Sequence, residues 1–181
     1  MILFFGPAGS GKSAQAQMLV DGNDWKWLSS GQLLRDTPDE EVHEYQRKGV
    51  LVPIEKVNEV LAAALELHKN DKKLLLDGYP RSVDQAHWLM DKCKSIGIPM
   101  ELAINFNVNV EELMKRMELR GRNDDTPESI NERFAIYHRE SDPIFNLFME
   151  NGIKVVQVDG VGSYEEIHDR VLKVLSECKL A

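Results

Sequence analysis

Apolar residues gather in five short runs: ILFF (2–5), KWL (26–28), KLLLD (73–77), LAINF (102–106) and KVVQV (154–158). Longer stretches with a different rhythm separate them. Short apolar runs bounded by polar segments predict buried strands, and the intervening amphipathic stretches predict helices. IEKVNEVLAAALELHK sets Val57, Val60, Leu61, Ala64, Leu65 and His68 on one helical stripe, and YEEIHDRVLKVL does the same with Ile167, Val171 and Val174. Such stripes are core faces, so His68 and His168 read as packing or boundary residues. Strands alternating with helices predict an α/β fold in which crossover helices connect parallel strands.

A chain of 181 residues with 43% hydrophobic content suits one globular domain. Its formal charge of -8 argues against a nucleic-acid surface but leaves room for a local basic cleft that holds a small anion. Cys93 and Cys178 have neither Cys-x-x-Cys nor His-partner spacing, so no zinc site or disulfide framework is expected. The opening MILFFGPAG carries no basic leader, and no apolar run reaches membrane-spanning length. The expectation is a cytoplasmic protein with no membrane or nucleic-acid partner. Against the acidic balance, five of the nine arginines fall between residues 116 and 139. They form either a solvated helix face, paired with Glu118, Glu128 and Glu132, or a site for a polyanion.

GPAGSGKS, Gly6 to Ser13, fits G-x-x-x-x-G-K-[ST] between a predicted strand and a predicted helix. The glycines let the backbone of Gly6, Ala8, Gly9, Ser10 and Gly11 turn tightly against phosphate oxygens. The helix that continues through Ala14 adds its positive end. Lys12 is expected to bridge the β- and γ-phosphates of a triphosphate, and the Ser13 hydroxyl to reach Mg²⁺. The fold class that follows is that of the P-loop nucleoside triphosphate hydrolases, with a central five-stranded parallel sheet flanked by helices.

LLLDGYPRS, Leu74 to Ser82, is a strand ending in Asp77, an acidic residue suited to hold Mg²⁺ through water beside such a loop. Gly78 permits close backbone approach, and Arg81 projects a guanidinium just past the strand's carboxyl end, where open α/β sheets bind ligands.

Together with SSGQLLR (29–35), these segments resemble the nucleoside monophosphate kinase family, most of all its adenylate kinases. The resemblance spans nearly the whole chain. It implies reversible Mg²⁺-dependent transfer of phosphate from ATP to AMP, giving two ADP. It also implies that Arg35 and Arg81 clamp the acceptor phosphate with planar forks of donors. By the same resemblance Ser30, Gly31 and the backbone around Val52 line the acceptor base pocket, and Gln85 stands where adenylate kinases hydrogen-bond adenine. Arg116, Arg120, Arg122 and Arg133 become the set that surrounds the transferring group, with Arg122 and Arg133 also reaching AMP. Asp124 and Asp125 either orient these arginines or cap a helix. Val161 in DGVGS is expected against the donor base.

The chain is thus expected to be one kinase domain, 1–181, with a small acceptor-binding insert at about 30–58 and a truncated lid at about 120–126. Its state is a monomer or small homo-oligomer. It departs from the family pattern at Gln32, where aspartate is usual, at Ser13-Ala14, where Gly-Thr is common, and in a lid that leaves only Gly121 between Arg120 and Arg122. Alternatives are a UMP/CMP kinase and a non-catalytic nucleotide-binding P-loop protein. A GTP switch protein is disfavoured by the lack of an Asn-Lys-x-Asp stretch.

Overall fold

A computed structural model of the chain describes residues 1–22, 24–48, 52–120 and 126–180, apart from the side chains of Arg120, Ser129 and Arg133. Five strands form one sheet: β1 (Ile2–Phe5), β2 (Lys26–Ser29), β3 (Leu74–Asp77), β4 (Leu102–Asn107) and β5 (Lys154–Asp159). Their spatial order is β2-β3-β1-β4-β5, and every pairing is parallel. The α/β class and the five-stranded parallel sheet expected from the strand–helix alternation are both present.

Among the described residues, eight helices connect and flank the strands. They are α1 (Lys12–Gly22), α2 (Ser30–Asp36), α3 (Glu40–Arg47), α4 (Ile54–Leu67), α5 (Val83–Ile96), α6 (Val110–Arg120), α7 (Pro127–Glu150) and α8 (Tyr164–Glu177). Among the described residues, no helix is long and apolar enough to cross a membrane. The interval proposed as the acceptor insert holds α2, α3 and the start of α4.

Because side chains alternate along a strand, each central strand feeds two cores. Leu3 and Phe5 of β1 join Leu74 and Leu76 under α4, α5 and α7, whereas Ile2, Phe4 and Leu75 pack beneath α1 and α8. This burial on both faces explains why the strands read as unbroken apolar runs. On α8 the fully buried line is Ile167, Val171 and Leu175, with Val174 only half-buried beside it. The sequence stripe holds, with Leu175 added to it. Burying those three side chains contributes roughly 5–9 kcal/mol at 1.5–3 each, which outweighs the ~1 kcal/mol of the Ser163 N-cap. Tertiary packing therefore holds α8, and the cap sets where it starts.

Register decides what the carboxyl ends of the strands bring together. Asp77 lies opposite both Phe4 and Ser29, so the loops leaving β1, β2 and β3 emerge side by side. β1 is also where the chain's path reverses: β2 and β3 lie on one side of it, β4 and β5 on the other. Sheets of this kind bind ligands in the crevice at such a point.

Cys93 is buried on α5 in the larger core, and burial pushes its thiol up to about 11. In the native protein at pH 8 it should resist thiol reagents, while the half-buried Cys178 reacts. Titration with a chromogenic disulfide before and after unfolding checks this: a second fast-reacting thiol in the native state would contradict it.

Candidate active site

The loop between β1 and α1 is shaped by its glycines. A side chain on Gly6, which has φ of +150°, would place Cβ 2.5 Å from Ser10 Oγ and 3.2 Å from the Phe106 carbonyl oxygen. Only glycine lets the loop close at that point. Lys12, the first residue of α1, folds back across the loop, its Nζ donating to the carbonyls of Gly6 (2.6 Å) and Pro7 (3.0 Å) and, at 3.4 Å, to Ser10 Oγ. Burial lowers its pKa to about 8; Asp77 opposes that shift and Arg81 adds to it. The three charged groups therefore sense one another across the ends of β1 and β3.

Asp77 is 4% exposed, and burial raises its pKa, with Lys12, its hydrogen bond from Ser13 and the charge of Arg81 pulling the other way. Ser13 Oγ donates to Asp77 Oδ2 at 3.1 Å. Asp77 Oδ1 is buried and has no hydrogen-bond partner among the described residues. An orphaned buried carboxylate oxygen carries a penalty of roughly 1–3 kcal/mol, more when charged, and a divalent cation with its waters would relieve it. The hard oxygen donors of Ser13 and Asp77 fit Mg²⁺, which takes few protein ligands and keeps several waters.

On the acceptor side, Ser29 caps α2, its Oγ accepting from Gln32 N. Arg35, one turn on, gives Nη2 and Nε to Gln32 Oε1 at 2.6 and 3.3 Å, and Gln32 Nε2 donates to Asp36 Oδ1 at 2.7 Å. Arg81 Nε donates to the Gly78 carbonyl at 2.8 Å. Gly78 has φ of +82°, and a Cβ there would stand 2.8 Å from Ser30 Oγ and 3.5 Å from Arg81 Nη2. Gly31 likewise lies beneath the Arg35 guanidinium, its would-be Cβ 3.5 Å from Nη1. Ser30, Gly31 and Arg35 at the start of α2 thus lie near Gly78 and Arg81 after β3. Each guanidinium thus stands beside a glycine with no side chain of its own, Arg35 beside Gly31 and Arg81 beside Gly78.

A cleft of about 710 Å³ opens beside the phosphate loop, between α6 and the start of α8. Arg116 spans its base: Nε donates to Glu112 Oε1 (2.8 Å), Nη2 to the Gly160 carbonyl (2.7 Å) and Nη1 to the Ser10 carbonyl (3.4 Å).

A family profile described as Adenylate kinase matches residues 4–153 of the chain. The chain belongs to the adenylate kinase family. Proteins named Adenylate kinase resemble it along nearly their whole length. The one from Parabacteroides distasonis is 31% identical over 188 residues, covering 98% of each chain. That from Nocardia farcinica is 34% identical over 180 residues, 96% of this chain and 98% of its own. That from Xanthomonas euvesicatoria is 35% identical over 184 residues, with the same coverage.

Within this adenylate kinase family member, the predicted phosphate-loop residues Gly6, Ala8, Gly9, Ser10 and Gly11 lie in the loop before α1 and Lys12, Ser13 and Ala14 open that helix, with Ser13 on Asp77 and Arg116 reaching back to Ser10. Val52 is half-buried just before α4. Val161 is 37% exposed, its N–H bonded to Asp159 Oδ1 and its carbonyl to Arg170. Arg122, Asp124 and Asp125, in the segment expected to form a truncated lid, lie outside the described residues, as do the side chains of Arg120 and Arg133. On either side of it, α6 ends at Arg120 and α7 opens with Pro127.

The geometry alters two expectations. Arg116 pairs with Glu112, one turn back on its helix. Gln85 does not present a free amide: its Oε1 accepts from Arg81 N at 2.7 Å, so Nε2 is the end left for a ligand. The acceptor oxygen ties the loop that carries Arg81. Gln32 was noticed only as a departure, yet it holds the fork of Arg35. Gln15, missed altogether, is 1% exposed and joins α1 to α8. Its only sequence signal was a polar residue on the inward face of an otherwise apolar helix turn.

Proposed function

We propose that this chain catalyses reversible phosphoryl transfer from ATP to AMP, giving two ADP. Family membership supports the reaction. The observation that supports the reading most is that Lys12 on the phosphate loop and Arg81 after Gly78 stand at the ends of the neighbouring strands β1 and β3, close enough for their charges to act on one another, with Arg35 as the second guanidinium of the acceptor side. A protein that only hydrolysed or sensed a triphosphate would have no use for that side.

In this reading the N–H groups of residues 8–14 and the N-terminus of α1 hold the triphosphate. Lys12 exchanges the carbonyls of Gly6 and Pro7 for phosphate oxygens, whose negative charge favours its protonated form. Arg35 and Arg81 fix the phosphate of AMP so that one of its oxygens lies in line with the γ-phosphorus. A new P–O bond forms to that oxygen as the bond to the β-phosphate oxygen breaks, and ADP leaves on each side. The acceptor is already anionic, so no general base is needed. Positioning and charge neutralisation do the work. Arg116 stands on the donor side, and Arg120, Arg122 and Arg133 complete the neutralisation. Ser13 and Asp77 would hold Mg²⁺, which offsets charge on the β- and γ-phosphate oxygens when bound with the nucleotide. The protein is read as cytoplasmic, in keeping with two free thiols, and as a monomer or small homo-oligomer.

AMP is favoured as acceptor by family membership, and Gln85 Nε2, on the loop-tethered amide, is the group that would donate to adenine N1. Its loss leaves a base edge unpaired, worth about 1–3 kcal/mol. The reading is tested by a coupled assay that offers AMP, CMP, UMP and GMP in turn with ATP and Mg²⁺. AMP should lead by at least about tenfold, and Gln85→Asn should lose part of that lead. Equal or faster turnover of CMP or UMP would make the chain a pyrimidine monophosphate kinase. Failure with all four would leave a nucleotide-binding protein without catalysis.

A further inference from the structure

Asn105 interrupts the apolar run of β4 and is nevertheless buried, at 6% exposed. It shares a strand face with Ala103, which belongs to the core under α7. Across the sheet it lies opposite Phe5 on one side and Gln157 on the other. Its amide is used at both ends: Oδ1 accepts from the Tyr137 hydroxyl at 2.6 Å, and Nδ2 donates to Gln157 Oε1 at 2.7 Å. Burial raises the pKa of the Tyr137 phenol, so the hydroxyl keeps its proton and donates throughout the neutral range. A line of hydrogen bonds therefore runs from α7 through β4 to β5, and its far end, Gln157, is exposed to water.

An apolar side chain at 105 would fill the same space without the risk of an unpaired buried amide. What the polar line adds is direction. Apolar contacts between a helix and a sheet tolerate small shifts, whereas a satisfied buried network selects one arrangement. Its height in the fold is telling. Phe5 is the last residue of β1 and Gly6 follows it, so Asn105 stands level with the entry to the phosphate loop. The carbonyl of the next residue, Phe106, is the one a side chain on Gly6 would meet at 3.2 Å. From here α7 runs back to the start of β5, so its residues before Tyr137 extend past the level at which β1 ends. Arg133 is four residues earlier on α7, about 6 Å along the helix axis.

We propose that Tyr137, through Asn105 and Gln157, is a positioning residue for phosphoryl transfer: its hydroxyl fixes the turn of α7 that carries Arg133 against the end of the sheet. This rests on the kinase reading above, in which Arg133 helps to neutralise the transferring group. A displacement of about 1 Å can cost on the order of a hundredfold in rate, so an anchor lost one turn away acts on kcat before it acts on the binding of ATP.

The test measures kcat and KM for ATP at saturating AMP, well below the melting temperature of every variant, and that melting temperature as well. Tyr137→Phe should lower kcat about tenfold or more, with KM for ATP within about twofold. Ile144→Val trims a buried side chain of the same helix outside the hydrogen-bonded line. It should lower the melting temperature comparably and leave kcat within about twofold. Tyr137→Phe combined with Asn105→Leu should regain stability over the single variant, since no buried partner is then left unpaired, yet keep the low kcat. In an Arg133→Ala background, Tyr137→Phe should cost no more than about twofold, because residues that act as a unit are not additive. The inference is overturned if Tyr137→Phe keeps the wild-type kcat, if kcat follows melting temperature across the variants, or if the full loss persists without Arg133. A wild type that turns over none of the four monophosphates overturns the kinase reading and this inference with it. An active wild type indifferent to the Tyr137 hydroxyl overturns this inference alone.

Discussion

Lys12→Ala should lower kcat by about a thousandfold or more while leaving the melting temperature within a few degrees of wild type. The rate loss follows from where the charge goes. A buried ammonium, with a pKa lowered to about 8 by its own burial, sits on the carbonyls of Gly6 and Pro7, within reach of where the phosphates must lie. Negative charge shifts onto the bridging and leaving oxygens during transfer, and a preorganised cation there is worth roughly 10²–10³ or more in rate. The small stability change follows from the same burial. Alanine forfeits the hydrogen bonds to the loop carbonyls but also removes the cost of keeping an ammonium from water, and the two effects oppose each other. Steady-state rates together with thermal unfolding decide it. A rate within tenfold of wild type would remove Lys12 from the reaction, and a collapse of the melting temperature would make it structural.

The next largest loss is expected from Arg81→Ala, with a different signature. The Arg81 guanidinium stands over Gly78, anchored by Nε on its carbonyl, with Nη2 beside the Gly78 backbone. In the proposed reaction its terminal nitrogens contact the acceptor phosphate. Two charge-assisted hydrogen bonds to that phosphate amount to roughly 3–5 kcal/mol, or about two to three and a half orders of magnitude in kcat/KM for AMP. Because the contact exists in the ground state as well as in the transition state, KM for AMP should rise as kcat falls, while KM for ATP moves little. Arg81→Lys should recover only part, since an ammonium cannot present a planar fork. The backbone of residue 81 stays tethered through its N–H to Gln85 Oε1 in either variant, so the loop itself should persist. Initial rates over a grid of both nucleotides check the assignment: a rise in KM for ATP alone would place Arg81 on the donor side.

Much of this protein was legible along the chain because the physics involved is local. Strands buried on both faces need continuous apolar runs, and the runs at 2–5, 74–77 and 102–106 were read directly. A phosphate loop needs glycines where backbone must turn or approach closely, followed by a lysine at the helix start, and that spacing survives any change in the surroundings. Asp77, Gly78 and Arg81 were readable because they follow a strand end in sequence as well as in space.

What sequence order could not convey was which groups meet from distant elements, and what each is left free to do. Strand order and register bring Ser29 and Phe4 beside Asp77, and nothing in the one-dimensional pattern encodes that adjacency. The burial that lowers the pKa of Lys12 and raises that of Asp77, the orphaned Asp77 Oδ1 and the spent Oε1 of Gln85 depend on neighbours more than a turn away. Desolvation and hydrogen-bond saturation are properties of an environment, not of a residue type. For the same reason the sequence did not show what Gln15 and Gln32 do: a glutamine that ties two helices and one that holds a guanidinium look like ordinary polar residues until packing fixes what lies around them.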